Sequence, residues 1–331
     1  MAGYQPALMR GPILLIALAL LAPLSFIFAL LTGSVTTSWQ DLWTVIDTSS
    51  SGVTHNIITE LRLPRALGAF ATGGMLALAG ALMQVLLRNP LADPYILGVS
   101  GGAAVGALGA TLAGVAGTIW LTGSAFVGAL VSMFLVFALA RGEGSWTPTR
   151  LLLTGVVIAA GWGALISFLL AIGPDQHLRG MLFWLMGDLS NASAPIGAWL
   201  ILTVGFIACI PIVRQLNVLA RGELQASALG VDIAPLRLQI YLIASLMTAA
   251  AVTVAGSIGF IGLIVPHLVR LIGVNDQRLL LPAAVLLGGS MLVIADTLAR
   301  TLLAPIQLPV GVITAAIGVP LFLLLLRRGY R

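Results

Sequence analysis

Long apolar runs recur along the chain, separated by short clusters of charge, proline and polar residues. A helix crossing the ~30 Å hydrocarbon core of a bilayer needs about 20 predominantly apolar residues. Cutting the chain at its charge and proline clusters gives ten such segments, near 11–32, 63–87, 95–114, 117–140, 150–172, 194–213, 236–254, 257–273, 279–303 and 309–326. Glycine and proline inside them favour a helical bundle over a barrel, whose strands alternate over about ten residues. The pattern predicts an all-α integral membrane protein of about ten transmembrane helices, forming one domain over residues 1–331. The third segment is built from small residues and is expected to pack closely on its neighbours. The seventh and eighth are divided only by VAGSIGFIG, the least marked boundary. Arg10 precedes about twenty apolar residues with no small-residue cleavage pattern, so the first segment is expected to be retained, not removed as a signal peptide.

The arginines set the orientation. Arg10, Arg88, Arg141, Arg150, Arg214, Arg221, Arg237, Arg270, Arg278, Arg327, Arg328 and Arg331 fall on one set of segment ends, and only Arg62, Arg65, Arg179 and Arg300 on the other, together with six of the eleven acids. The positive-inside rule then puts both termini in the cytoplasm. Residues 76–90 (LALAGALMQVLLRNP) and 252–266 (VTVAGSIGFIGLIVP) share Ala79/Ala255, Gly80/Gly256, Leu87/Leu263 and Pro90/Pro266 at constant spacing. Five spans apart, they suggest an inverted repeat of the two halves, an arrangement common in transporters.

Composition agrees with this reading: of 331 residues 59% are hydrophobic and 8% charged, and the mean hydropathy is +1.09. All 16 basic residues are arginine. A P-loop needs its lysine on the nucleotide phosphates, so the chain carries no Walker-type ATPase site. The one cysteine, Cys209, excludes an intrachain disulfide. His55, His177 and His267 are widely separated and match no metal-site spacing. His267, after Pro266, reads as structural. Asp93 and Asp296 are the carboxylates near segments, and both sit at ends. An ion-coupled secondary carrier, the alternative of a different class, normally needs an ionisable group or a broken helix at depth.

Two groups of residues stand out from this background. Arg62 and Arg65 in ELRLPRALG, and Arg300 in ADTLARTLL, lie at the outer mouth. Charge placement alone favours local roles for them, with Arg300 on Asp296 four residues earlier and Arg65 snorkelling to headgroups. A landing patch for an acidic partner is the other reading. On the inner side, residues 214–237 (RQLNVLARGELQASALGVDIAPLR) alternate apolar and polar residues at helical spacing around Gly222 and Gly230. Two short surface helices are expected there. Their nearly balanced charge suits docking of a cytoplasmic protein better than rest on lipid.

Eight strings, LRLPRALGAFATGGMLALAGALMQ, NPLADPYILGVSGGAAVGA, TRLLLTGV, WLMGDL, LNVLARGELQASALGVD, GFIGLIVPHLVRLIG, DTLAR and LPVGVITAAIGVPLFLLLLRR, in this order and at these separations, resemble the FecCD family of ABC importer permeases. The resemblance covers the chain from about residue 55 onward. It implies import of a ferric siderophore, heme or cobalamin, with heme slightly favoured, across a bacterial inner membrane by alternating access. The implied partners are a second copy of the chain, two cytoplasmic ATPase subunits that carry the ATP and Mg, and a periplasmic substrate-binding protein. No cofactor, metal, catalytic residue or nucleic acid is implied for this chain. By the same resemblance Arg62, Arg65 and Arg300 become docking residues for the binding protein. Leu216, Arg221, Glu223, Leu229 and Gly230 fall in the ATPase coupling helices. Pro148 and Thr149 in SWTPTR correspond to the inner gate, with Pro148 where a small hydroxyl residue is expected, and Trp184 and Met186 edge the pathway.

Overall fold

A computed structural model describes residues 7–33, 35, 37–41, 52–115, 117–141, 147–190 and 195–329. Ser145 and Trp146 of the gate string, and Asp47, Glu143 and Arg331 of the charge census, lie outside them. The described residues form helices and connecting turns, with no strand among them. In order these are α1 (Ala7–Leu31), α2 (Leu63–Leu86), α3 (Val99–Leu112), α4 (Thr118–Ala140), α5 (Pro148–Ile172), α6 (Asp175–Leu185) and α7 (Ile196–Cys209). There follow α8 (Val213–Leu219), α9 (Glu223–Ala228), α10 (Ile233–Ala255), α11 (Ile261–Leu271), α12 (Gln277–Thr301) and α13 (Val310–Gly329).

Each of the ten predicted segments contains one helix of this set. By length and composition α1, α2, α4, α5, α10 and α12 can each cross a membrane, and α7 with α8 forms a bent pair with a 66° break. Two segments need correction. The third, 95–114, is not one helix: a 3₁₀ turn at Pro94–Leu97 and Gly98 at φ +68° precede the 14 residues of α3. The eighth, 257–273, is helical only over the 11 residues of α11, about 17 Å at 1.5 Å per residue. Residues 256–260 between α10 and α11 are unwound. Irregular backbone at membrane depth survives only where protein satisfies it. Here the Ile258 N–H donates to the Tyr95 hydroxyl at 3.0 Å, Ser100 Oγ to Ser257 Oγ at 3.0 Å, and the Asp188 N–H to the Ala255 carbonyl at 2.8 Å.

The internal echo fails at the same place. Ala79 and Gly80 lie inside α2, whereas Ala255 ends α10 and Gly256 turns the chain at φ +68°. Residues 76–90 and 252–266 therefore do not mark equivalent backbone; the shared letters serve tight packing in one copy and a helix end in the other.

At the centre stands α2, buried without interruption from Gly68 to Leu86. Its glycines and alanines let backbones touch. A Cβ on Gly80 would sit 1.9 Å from the Gly262 carbonyl of α11, and one on Gly73 2.2 Å from the Gly288 carbonyl of α12. Small residues at a helix interface replace the hydrophobic drive that lipid removes. Phe70 and Trp199 stack at 5.4 Å, and the Trp199 indole N–H donates to the Leu67 carbonyl, fastening α7 to the same helix. In contrast, α5 is buried along little of its length and shows Val157, Leu165 and Phe168 outward.

Candidate functional sites at the two ends of the bundle

Contacts gather two groups of described charges. One end gathers Arg62, Arg65, Asp296 and Arg300; the other gathers Arg88, Glu223, Arg237, Arg270 and Asp276. This is the division that the arginine census drew.

At the first end, helix begins ten residues earlier than the apolar run predicts. Val53–Asn56 and a π-type stretch at Ile57–Arg62 run directly into α2. π-type insertions re-aim side chains and recur at functional sites. Arg62, at the end of this stretch, is 4% exposed; its guanidinium donates to the Leu30 carbonyl (2.6 Å), to Thr37 Oγ1 (2.9 Å) and to the Val35 carbonyl (2.6 Å), tying down the exit of α1. Arg65, one turn on, grips Asp296 of α12 with Nε at 2.9 Å and a second nitrogen at 2.9 Å, a bidentate fork. Its remaining nitrogen reaches Gln307 at 3.3 Å. Arg300 donates to the Ala29 carbonyl and stands 3.9 Å from Asp296. The Arg300–Asp296 pair expected from sequence is present, but Arg65 does not snorkel: it takes the closer, bidentate hold on the same carboxylate, while Arg300 also caps α1. Arg65 and Arg300 share the Asp296 carboxylate while Arg62 bonds only neutral groups, which leaves the cluster net positive. Beside it, Arg179, Phe183, Trp184, Asp188 and Gln307 line a hollow of about 400 Å³.

At the second end, residues 213–228 form the two short helices that sequence spacing anticipates, α8 and α9. Glu223 turns inward and bridges Arg88 at the end of α2 (3.2 Å) and Arg237 at the start of α10. It anchors the loop. Leu216 is fully buried. Outward-facing are Arg221, Leu224 at 90% exposure, Leu229 at 72%, and Gly230. Gly230 ends α9 at φ +78°, the left-handed turn that glycine tolerates without strain. Nothing in the sequence alone marks Leu224; its exposure follows from Glu223 beside it turning inward to Arg88 and Arg237. Asp276 caps α12 by accepting from the Arg278 N–H and from Asn217 of α8, and these bonds hold its carboxyl below the ordinary range despite the upward push of partial burial.

The remaining candidates are scattered. Pro148 starts α5 under a Thr147 cap that accepts from the Arg150 N–H, and Thr149 is exposed beside it. Proline at this first position costs no hydrogen bond, because its missing N–H has no partner inside the helix anyway. Trp184 and Met186 belong to a junction where the Val310 and Gly311 N–H groups donate to the Gly187 and Met186 carbonyls, and where a Cβ on Gly256 would lie 2.0 Å from the Trp184 carbonyl. The unwound segment 256–260 is braced here. Among the described residues no three His, Cys, Asp or Glu side chains converge.

Residues 19–328 match the FecCD transport family. The cobalamin import system permease protein BtuC of Halobacterium salinarum is 44% identical over 82% of this chain and 73% of its own length. The hemin transport system permease protein HmuU of Yersinia pestis is 41% identical over 98% of this chain and 96% of its own. A solved inward-facing structure assigned to the metal-chelate type of ABC transporter superposes with a TM-score of 0.82 at 31% identity, covering 96% of this chain and 99% of that one. PsaBC from Streptococcus pneumoniae, at 17% identity and a TM-score of 0.54, shares the fold. With almost its whole length matched, the chain is a multi-pass membrane protein that belongs to the FecCD transport family.

Proposed function

We propose that this chain is the permease subunit of an ABC importer for a metal chelate, working as a homodimer with two cytoplasmic ATPase subunits and an extracytoplasmic binding protein in a bacterial inner membrane. The observation that carries the reading is the second end of the bundle. Two short helices stand off the spans, are pinned to α2 and α10 through Glu223, and present Leu224, Leu229 and Arg221 outward. A lever needs a rigid attachment and a free apolar contact, and this loop has both. The arginine bias supports a cytoplasmic position for that end. ATP-driven closure of the partner subunits would move α8 and α9, and α2 and α10 with them, switching access between the two mouths.

At the opposite mouth, Arg62, Arg65 and Arg300 supply a positive field for the binding protein, doubled in a dimer. Because all three already bond within the chain, their contribution is to the field and to the shape of the mouth. Pro148 and Thr149 stand at the inner gate, and Trp184 and Met186 beside the pathway. Heme is favoured as the chelate, supported by the end-to-end alignment with HmuU; cobalamin is the second reading, supported by the 44% identity to BtuC. The test is co-purification. Leu224→Asp/Leu229→Asp should keep the protein in the membrane yet lose its ATPase subunits and uptake, whereas normal co-purification and uptake would remove the docking role.

A further inference from the structure

A hollow of about 500 Å³ lies at the Arg-rich end, in the angle between the end of α2, α8, the end of α11 and the start of α12. Its electrostatics are unbalanced. Arg88, Arg221 and Arg270 line it, against Asp276. Arg88 is paired with Glu223, but no carboxylate lies within 4 Å of Arg221 or Arg270 among the described residues. Arg270 is only partly exposed, and its guanidinium donates to the neutral Gln84 Oε1, whose amide nitrogen is spent on the Leu263 carbonyl. A guanidinium withdrawn from water and met only by a neutral amide is short of negative charge. The wall also holds an unused acceptor. Gln277 is 2% exposed and its Oε1 has no hydrogen-bond partner, a costly arrangement unless a donor arrives. Gln277 also lines a second, apolar hollow of about 260 Å³ with Phe206, Ile210 and Pro282.

We propose that the polar hollow is a binding site for a phosphate-ester anion, held by Arg221 and Arg270, with hydroxyl groups of the ligand donating to Gln277. Guanidinium forks match phosphate oxygens bidentately. An ester bearing hydroxyls satisfies the orphan acceptor as well as the cations, and the apolar hollow beyond Gln277 suits the first carbons of an acyl chain. The headgroup of phosphatidylglycerol has all three features. Glycerol 1-phosphate has the first two.

The site can be tested on delipidated full-length protein in detergent by native mass spectrometry and thermal shift, titrating phosphatidylglycerol, phosphatidylcholine and glycerol 1-phosphate separately. Phosphatidylglycerol should bind at least tenfold more tightly than phosphatidylcholine. Arg270→Gln should remove that preference and Arg221→Gln, an exposed substitution with little risk to folding, should reduce it at least threefold. Arg141→Gln, on an exposed arginine outside the hollow, should leave it intact. If glycerol 1-phosphate binds with the same dependence on Arg221 and Arg270 and phosphatidylglycerol gains nothing over it, the source is a soluble phosphate and the site stands. Equal binding of the two lipids with no binding of glycerol 1-phosphate overturns the proposal. So does a preference that survives Arg221→Gln and Arg270→Gln together, or a hollow that only added ATPase subunits shield.

Discussion

Asp296 is the residue on which the first end depends. It is nearly buried, forked by Arg65 and approached by Arg300. Replacing it with Asn leaves two guanidinium groups facing each other without a counter-charge, whereas Arg65→Gln leaves Asp296 with Arg300. Breaking a buried pair from one side costs roughly 3 kcal/mol. Asp296→Asn should therefore lower the thermal midpoint in detergent clearly more than Arg65→Gln does, and equal loss would mean that the fork carries no special weight. Asp93, in the turn before α3, makes a prediction in pH. Burial pushes its carboxyl up to about 6 against the opposing pull of the Tyr95 N–H. The folded chain then holds this proton more tightly than the unfolded one, so its contribution is complete below about pH 4 and is lost as pH rises through 6. Asp93→Asn, which keeps the N–H acceptor, should flatten the thermal midpoint between pH 4 and 6. Sequence showed Arg300 and Asp296 as an i, i+4 pair, but the Arg65 fork joins residues 231 positions apart, and one-dimensional spacing carries no trace of that contact. Glu223 was singled out as a coupling residue, yet its inward turn depends on where α2 and α10 bring Arg88 and Arg237.

Among the helices, each apolar run holds a helix, and six of these are long and apolar enough to cross a membrane, because such helices announce themselves by length and hydropathy. Two boundaries were misplaced for one physical reason: hydropathy measures how apolar a run is, and says nothing of whether its backbone is wound. Residues 256–260 sit inside an apolar run yet are unwound, their polar backbone satisfied in part by Tyr95 and braced by the Gly187 and Gly311 junction, neither of which is near in sequence. The small-residue composition of α2 has a direct consequence. Gly80→Ala places a methyl within 2 Å of the Gly262 carbonyl and must part α2 from α11, at a cost of about 3 kcal/mol. Gly161→Ala on α5 meets nothing within 4 Å. A thermal-shift comparison of these two alanines should show a large loss for the first and none for the second.

The molecule as a whole has one arginine-poor mouth and one arginine-rich end carrying a pinned docking loop, and orientation is the first thing to establish. In a Cys209→Ala background, an impermeant thiol reagent on intact spheroplasts should spare a single cysteine at Gly329 and label one at Ser50, a position outside the described residues; the reverse pattern would invert the assignment of the two ends. The measurement closest to the central claim is uptake into liposomes holding this chain with its ATPase subunits, with heme and cobalamin supplied in turn on the binding protein. ATP hydrolysis by the partner subunits should be required for accumulation of one of the two, and an imposed proton or sodium gradient should have no effect in its absence. Uptake driven by such a gradient without ATP would contradict an ATP-driven importer and return the chain to ion-coupled transport.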